Sequence, residues 1–169
     1  MLGTIPGSAA TTRKQNMDTV TFWVIGKPQP KGSKQAFARK RKDGSAFATL
    51  VDTNKHAMDW QHWVKACALA EMPHDWDRQR PVSVSLKFVF ERPKSHLTSK
   101  GEIRKGYDNE HTKKPDIDKL ARTVLDGLTG VYFADDCQVC FLHATKGYGP
   151  QNGCTITITK LGRTRNDLG

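Results

Sequence analysis

Lys114-Pro115-Asp116-Ile117-Asp118-Lys119-Leu120-Ala121-Arg122-Thr123-Val124-Leu125-Asp126-Gly127-Leu128 is the stretch whose reading decides the fold. Ile117, Leu120, Ala121, Val124, Leu125 and Leu128 recur at helical spacing as one apolar stripe, so a helix is expected from about 117 to 128. Lys119, Arg122, Thr123 and Asp126 take the remaining face. Asp116 suits the N-cap and Gly130 the stop, with Pro115 marking the approach. Such a helix needs a sheet or another helix to cover its stripe.

Outward from it, Val82 to Phe90 alternates strictly, with Val82, Val84, Leu86, Phe88 and Phe90 on one face, and is expected as a strand. Thr19 to Ile25, Gln138 to Ala144 and Cys154 to Lys160 are expected strands too, and Phe47 to Val51 a short one. A second helix is expected from about Asn54 to Glu71, ended by Pro73, with Trp60 and Trp63 in its core-facing set. Gln29 to Lys42 reads as a basic loop. Arg92 to Lys114 is a long polar segment without apolar periodicity, and a loop of that length points to function. The order predicts an α+β domain over 18–161, a small mixed β-sheet with two main packed helices, between a disordered leader over 1–17 and a flexible tail over 162–169.

The 169 residues suit a single domain, and the net charge of +10 favours a polyanionic partner. No apolar run approaches the roughly 20 residues that cross a bilayer, so no membrane partner is expected. The four cysteines, Cys67, Cys137, Cys140 and Cys154, are sparse and irregular, which fits free thiols in a reducing cytoplasm.

Against this positive background, Asp116 and Asp118 are followed by Asp135-Asp136. Crowded carboxylates repel unless a cation neutralises them. The first pair alone fits a helix N-terminus, where one aspartate caps and the dipole favours the other. That leaves the second pair unexplained. If the next strand starts back near the helix N-terminus, three or four of Asp116, Asp118, Asp135 and Asp136 meet at one sheet edge. An all-oxygen set suits Mg²⁺, with Mn²⁺ as substitute, rather than zinc. Arg122, four residues after Asp118, is placed to orient that carboxylate or contact a phosphate, or to make an ordinary helical ion pair. Asp126 is read as structural.

Other motifs carry less. Cys137 and Cys140 have metal-type spacing but face opposite sides of a strand and lack a second pair. The six histidines, His56, His62, His74, His96, His111 and His143, pair with no nucleophile, and His111 reads as a solvated loop residue. The run from Gly26 to Lys34 is not a Walker loop, although its lysines and amides suit backbone phosphates.

Taken together, Lys114-Pro-Asp-Ile-Asp-Lys-Leu, Leu125-Asp-Gly-Leu-Thr-Gly, Asp135-Asp-Cys-Gln-Val and the early Gly26-Lys-Pro-Gln-Pro-Lys-Gly-Ser-Lys strongly resemble the RusA family of Holliday junction resolvases. The resemblance spans much of 19–160. It implies a homodimeric, Mg²⁺-dependent crossover junction endodeoxyribonuclease acting in DNA recombination and repair, in a bacterial cell or a phage-infected host. It places the catalytic aspartates on Asp116, Asp118 and Asp136, with Asp135 as the adjacent acid and Arg122 where the family has a functional lysine. Lys119 stands where an asparagine is usual; both changes keep or add positive charge, so activity is expected to survive. Lys31, Lys34, Arg39, Lys40, Lys113, Lys114 and Lys119 are then expected to hold the branches of a four-way junction through backbone phosphates. The competing expectations are another branched-DNA nuclease of this fold, or a DNA-binding protein whose acids do no chemistry.

Overall fold

The computed structural model describes residues 18–162 except 33, 44 and 53, with 34–40 and 46–52 as backbone. The expected leader and nearly all of the expected tail lie outside the described residues. In chain order the elements are β1 (Thr19–Ile25), β2 (Lys34–Lys40), β3 (Ala46–Asp52), α1 (Lys55–Glu71), β4 (Val82–Glu91), α2 (Ile117–Leu128), β5 (Val139–Gly149) and β6 (Gly153–Lys160). The main sheet runs β1-β6-β4-β5, with β5 parallel to β4 and the other pairs antiparallel. This is the expected α+β architecture, a mixed sheet with two helices.

The alternation of β4 drives the packing. Val82, Val84, Leu86, Phe88 and Phe90 are all buried, and Ile156 and Ile158 of β6 lie beside them in the core. Leu120, Val124 and Leu128 of α2 join the same core, as do Trp60, Val64 and Ala68 of α1. The two helices also approach each other closely. Thr123, expected on the open face, is buried and donates its hydroxyl to the Lys119 carbonyl, 3.1 Å away. A Cβ on Gly127 would lie 2.9 Å from the Gln61 carbonyl and 3.0 Å from Val64 Cγ1. Gly127→Ala is therefore expected to destabilise by about 1–3 kcal/mol, read as a lower urea midpoint.

Three expectations need correction. The stretch from Gln29 to Lys42 is not all loop, because β2 pairs antiparallel with β3 from Lys34↔Asp52 to Lys40↔Ala46. Asp43 sets the turn, its carboxylate accepting from the Ser45 amide at 2.9 Å and from its hydroxyl at 2.6 Å. Cationic side chains on a two-stranded ribbon hide the alternation that marks a strand. Trp63 is not core; it is half exposed and donates its indole N–H to the Ile25 carbonyl at 2.9 Å.

The third correction is the polar segment 92–114, which is ordered by rings instead of aliphatic periodicity. His96 is buried and stacks on Tyr107 at 4.0 Å. His111, expected in solvent, is buried with its centroid 4.3 Å from that of Phe90 and 4.8 Å from that of Tyr148. The segment then lies along β5, with His111 N–H donating to the Lys146 carbonyl and Tyr148 N–H to that of Asn109. It covers the outer edge of β5 around 146–148 and leaves residues 140–143 exposed.

Candidate active site

Asp116 occupies the N-cap position of α2, but its side chain makes no capping hydrogen bond. Its carboxylate is half exposed, with Oδ2 3.2 Å from Lys119 Nζ. Asp118 sits in the first turn of α2, exposed, where the helix dipole favours an anion. Capping thus does not explain Asp116, and two carboxylates at one helix end remain open to a ligand.

Neighbouring strands hold this corner in place. The Lys146 ammonium donates to the carbonyls of Lys113 and Pro115, both at 2.7 Å, which ties the approach to α2 onto β5. Lys31 N–H donates to the Lys119 carbonyl at 3.0 Å, and its ammonium pairs with Asp126. Lys31, expected on DNA, therefore pins the Pro28–Lys31 strap to α2, and Asp126 has the structural role expected of it. A cavity of about 360 Å³ lies at this corner, lined by Lys27, Pro28, Lys114, Asp116 and Lys119 among others. Lys113 and Lys114 are exposed beside it. Arg122 is exposed and makes no ion pair with Asp118. Lys34, Arg39 and Lys40 lie on β2, of which only the backbone is described.

The second acidic pair is built differently. Asp135 caps a 3-10 turn over Asp136–Gln138, and its carboxylate accepts from the Cys137 amide at 2.9 Å. The Gln138 side-chain carbonyl accepts from the amides of Ala134 and Asp135, while its amide group donates to the carbonyls of Arg78 and Arg80. Hydrogen bonds from Cys137 hold the Asp135 carboxyl below the ordinary range. Asp135 thus shapes the turn, whereas Asp136 presents an exposed carboxylate from its first residue.

The two pairs do not meet within one chain. Among the described residues no three His, Cys, Asp or Glu side chains lie close enough to hold a metal ion. The reason is direction: α2 points away from Lys146, and β5 then runs back toward it. Asp116 lies beside the Lys146 end of β5, and Asp136 immediately precedes its other end at Val139. At about 3.3 Å per residue, Val139 and Lys146 are roughly 23 Å apart. The condition for the four acids to gather, a strand that starts near the helix N-terminus, is not met within one chain among the described residues. Asp116 and Asp118 still suit Mg²⁺, which commonly takes one or two carboxylates and completes its shell with water and phosphate.

The buried histidines were missed, because nothing in the spacing of a polar loop marks them. Burial and the Lys146 charge hold the His111 imidazole below its usual value of 6.5, and burial with Lys113 and Arg92 does the same for His96. Unfolded, both would take up protons near pH 6.5, so the unfolded chain binds more protons as pH falls below that point. Stability is expected to hold above neutrality and to decline from about pH 6.5 downward. Melting curves across that range check this, and His111→Phe should flatten the decline.

A family model described as endodeoxyribonuclease RusA matches residues 26–159, most of the chain and every feature of this corner. The chain belongs to the RusA family. It is also 27% identical over 149 residues to a Bacillus subtilis (strain 168) protein described as uncharacterized protein YqaN, covering 86% of this chain and 99% of that one. RusA membership makes the chain an endodeoxyribonuclease, a phosphodiester hydrolase of the kind that generally uses divalent metal ions and binds branched DNA. No helix among the described residues is long and apolar enough to cross a membrane.

Proposed function

We propose that this RusA chain is a Mg²⁺-dependent endonuclease that resolves four-way DNA junctions by paired nicks and works as a two-fold dimer. The observation that carries the reading is the uncapped Asp116 in the lining of a cationic cavity, with exposed Asp118 in the first turn of the same helix, in a strongly basic chain. Bound there, Mg²⁺ would activate water and stabilise the leaving oxygen. The chain's own part is to position phosphate: Lys27, Lys113 and Lys114 attract the backbone, and the first turn of α2 brings Asp116 to the cavity with Asp118 two residues on.

The dimer is supported by the edge of β5. Phe141 is 65% exposed and Leu142 47% exposed on the part of β5's outer edge that, among the described residues, has no neighbouring strand or segment. Open, apolar edges invite pairing with another chain. Only 139–145 is free of the covering segment, so antiparallel self-pairing centres on Leu142 and sets Val139 of one copy opposite Thr145 of the other. The Asp136 turn of each copy then lies beside the Lys146–Pro115 corner of its mate. Two symmetric sites result, each with Asp116 and Asp118 from one copy and Asp136 from the other, matching two equivalent strands of a junction.

The test is a synthetic four-way junction incubated with Mg²⁺, Ca²⁺ or EDTA. Paired nicks at symmetric positions with Mg²⁺ alone are expected. Cutting of other branched substrates in preference to junctions would leave a nuclease of this fold with a different target, and binding with no cutting in Mg²⁺ or Mn²⁺ would remove the enzyme.

A further inference from the structure

Next to the Asp116 cavity lies a larger one of about 510 Å³. The two share Lys27, Lys114 and Pro115, so they adjoin each other. The mouth of the larger carries Lys27, Lys94, Lys113 and Lys114, none of which has an ion-pair partner among the described residues. Among the described residues Glu91 is the one carboxylate in the lining. Rings make up the less exposed part of its lining: Phe90 and His111 are buried and Tyr148 is partly buried, whereas the lysines are exposed. Arg92 lies 5.0 Å over the Tyr148 ring and is fixed by bonds to the Asp108 carbonyl at 3.0 Å and Asn109 Oδ1 at 2.7 Å.

Four unpaired ammonium groups around one opening repel each other, and an anion relieves that repulsion. Duplex backbone alone needs only a charged surface, not a ring-lined cavity. A cationic rim over aromatic walls is instead the combination that holds unpaired nucleotides, with phosphate on the rim and base against the rings. The volume falls in the range of small-ligand pockets.

We infer that this second cavity takes one unpaired nucleotide of a DNA strand, next to the phosphate held at Asp116. The nucleotide remains part of the strand: its phosphate rests among Lys94, Lys113 and Lys27, and its base enters toward Tyr148 and His111. Unpaired nucleotides are cheapest to extrude where stacking is already broken, as at a branch point. The inference rests on the nuclease reading for its place beside a scissile phosphate.

Binding is read without cleavage, in EDTA, from the fluorescence of a short single-stranded oligonucleotide carrying one 2-aminopurine. A saturable emission change is expected, with protection of the fluorophore from acrylamide. An oligonucleotide with an abasic site at that position should bind about tenfold or more weakly, since base–ring stacking is lost. Lys94→Glu should weaken the probe while Lys94→Arg preserves it, both with unchanged melting. Equal affinity for the abasic probe, or indifference to Lys94→Glu, overturns the inference. Competition by free deoxyadenosine monophosphate as strong as by the oligonucleotide also overturns it, because the occupant would then be a free nucleotide. A chain that nicks junctions but leaves the probe unprotected disproves the pocket alone, and one that protects the probe but never nicks disproves the nuclease reading alone.

Discussion

Asp116→Asn and Asp118→Asn should each lower nicking of a four-way junction in Mg²⁺ by about a hundredfold or more, the scale seen when a charge-stabilising group is removed from an active site. Junction binding in EDTA should hold or tighten, because without a bound cation the carboxylate only repels phosphate and its removal cannot weaken the attraction. Folding should be almost unaffected. Asp116 is exposed and, among the described residues, pairs only with Lys119 across 3.2 Å, and surface pairs of that kind contribute about 0–1 kcal/mol. Asp118 adds a dipole interaction of about 0.3–1 kcal/mol. Strand-cleavage assays with melting controls separate these effects. Normal cutting by either variant would mean that the α2 N-terminus is not the site.

Phe141→Asp is the second large effect. In a single chain Phe141 is mostly exposed, so replacing it sacrifices little core and the monomer should still fold. In a β5–β5 pair the new carboxylate would lie near its own symmetry mate, and like charges across strands repel. The variant should sediment as a monomer at concentrations where the parent is a dimer, and nicking should fall about as far as in Asp116→Asn, since each site would lack Asp136. Leu142→Lys gives an independent variant on the same edge. A variant that remains dimeric and active would place the interface elsewhere.

Much of this was legible in the residues. The stripe from Ile117 to Leu128 and the alternation of Val82 to Phe90 announced α2 and β4, because amphipathic periodicity survives any tertiary context. The aspartates stood out because acidic residues are scarce in this chain. What stayed hidden depends on direction and on rings. Nothing local says whether the strand after Asp136 begins near α2's first turn or its last, so the acids looked closer than they are. The order of 92–114 comes from histidine–tyrosine stacks, which have no sequence period. The closeness of α1 and α2 at Gly127 depends on a partner helix more than fifty residues away.

Mixing two inactive variants tests the shared site most directly. An Asp116→Asn chain and an Asp136→Asn chain, unfolded together and refolded, form mixed dimers in about half of cases by chance. If each site draws Asp116 from one copy and Asp136 from the other, every mixed dimer has one intact site. Nicking should then return to about a quarter of the parent rate, as single rather than paired nicks. If each site lies within one chain, both sites of a mixed dimer are broken, and a mixture as inactive as its components would contradict the account.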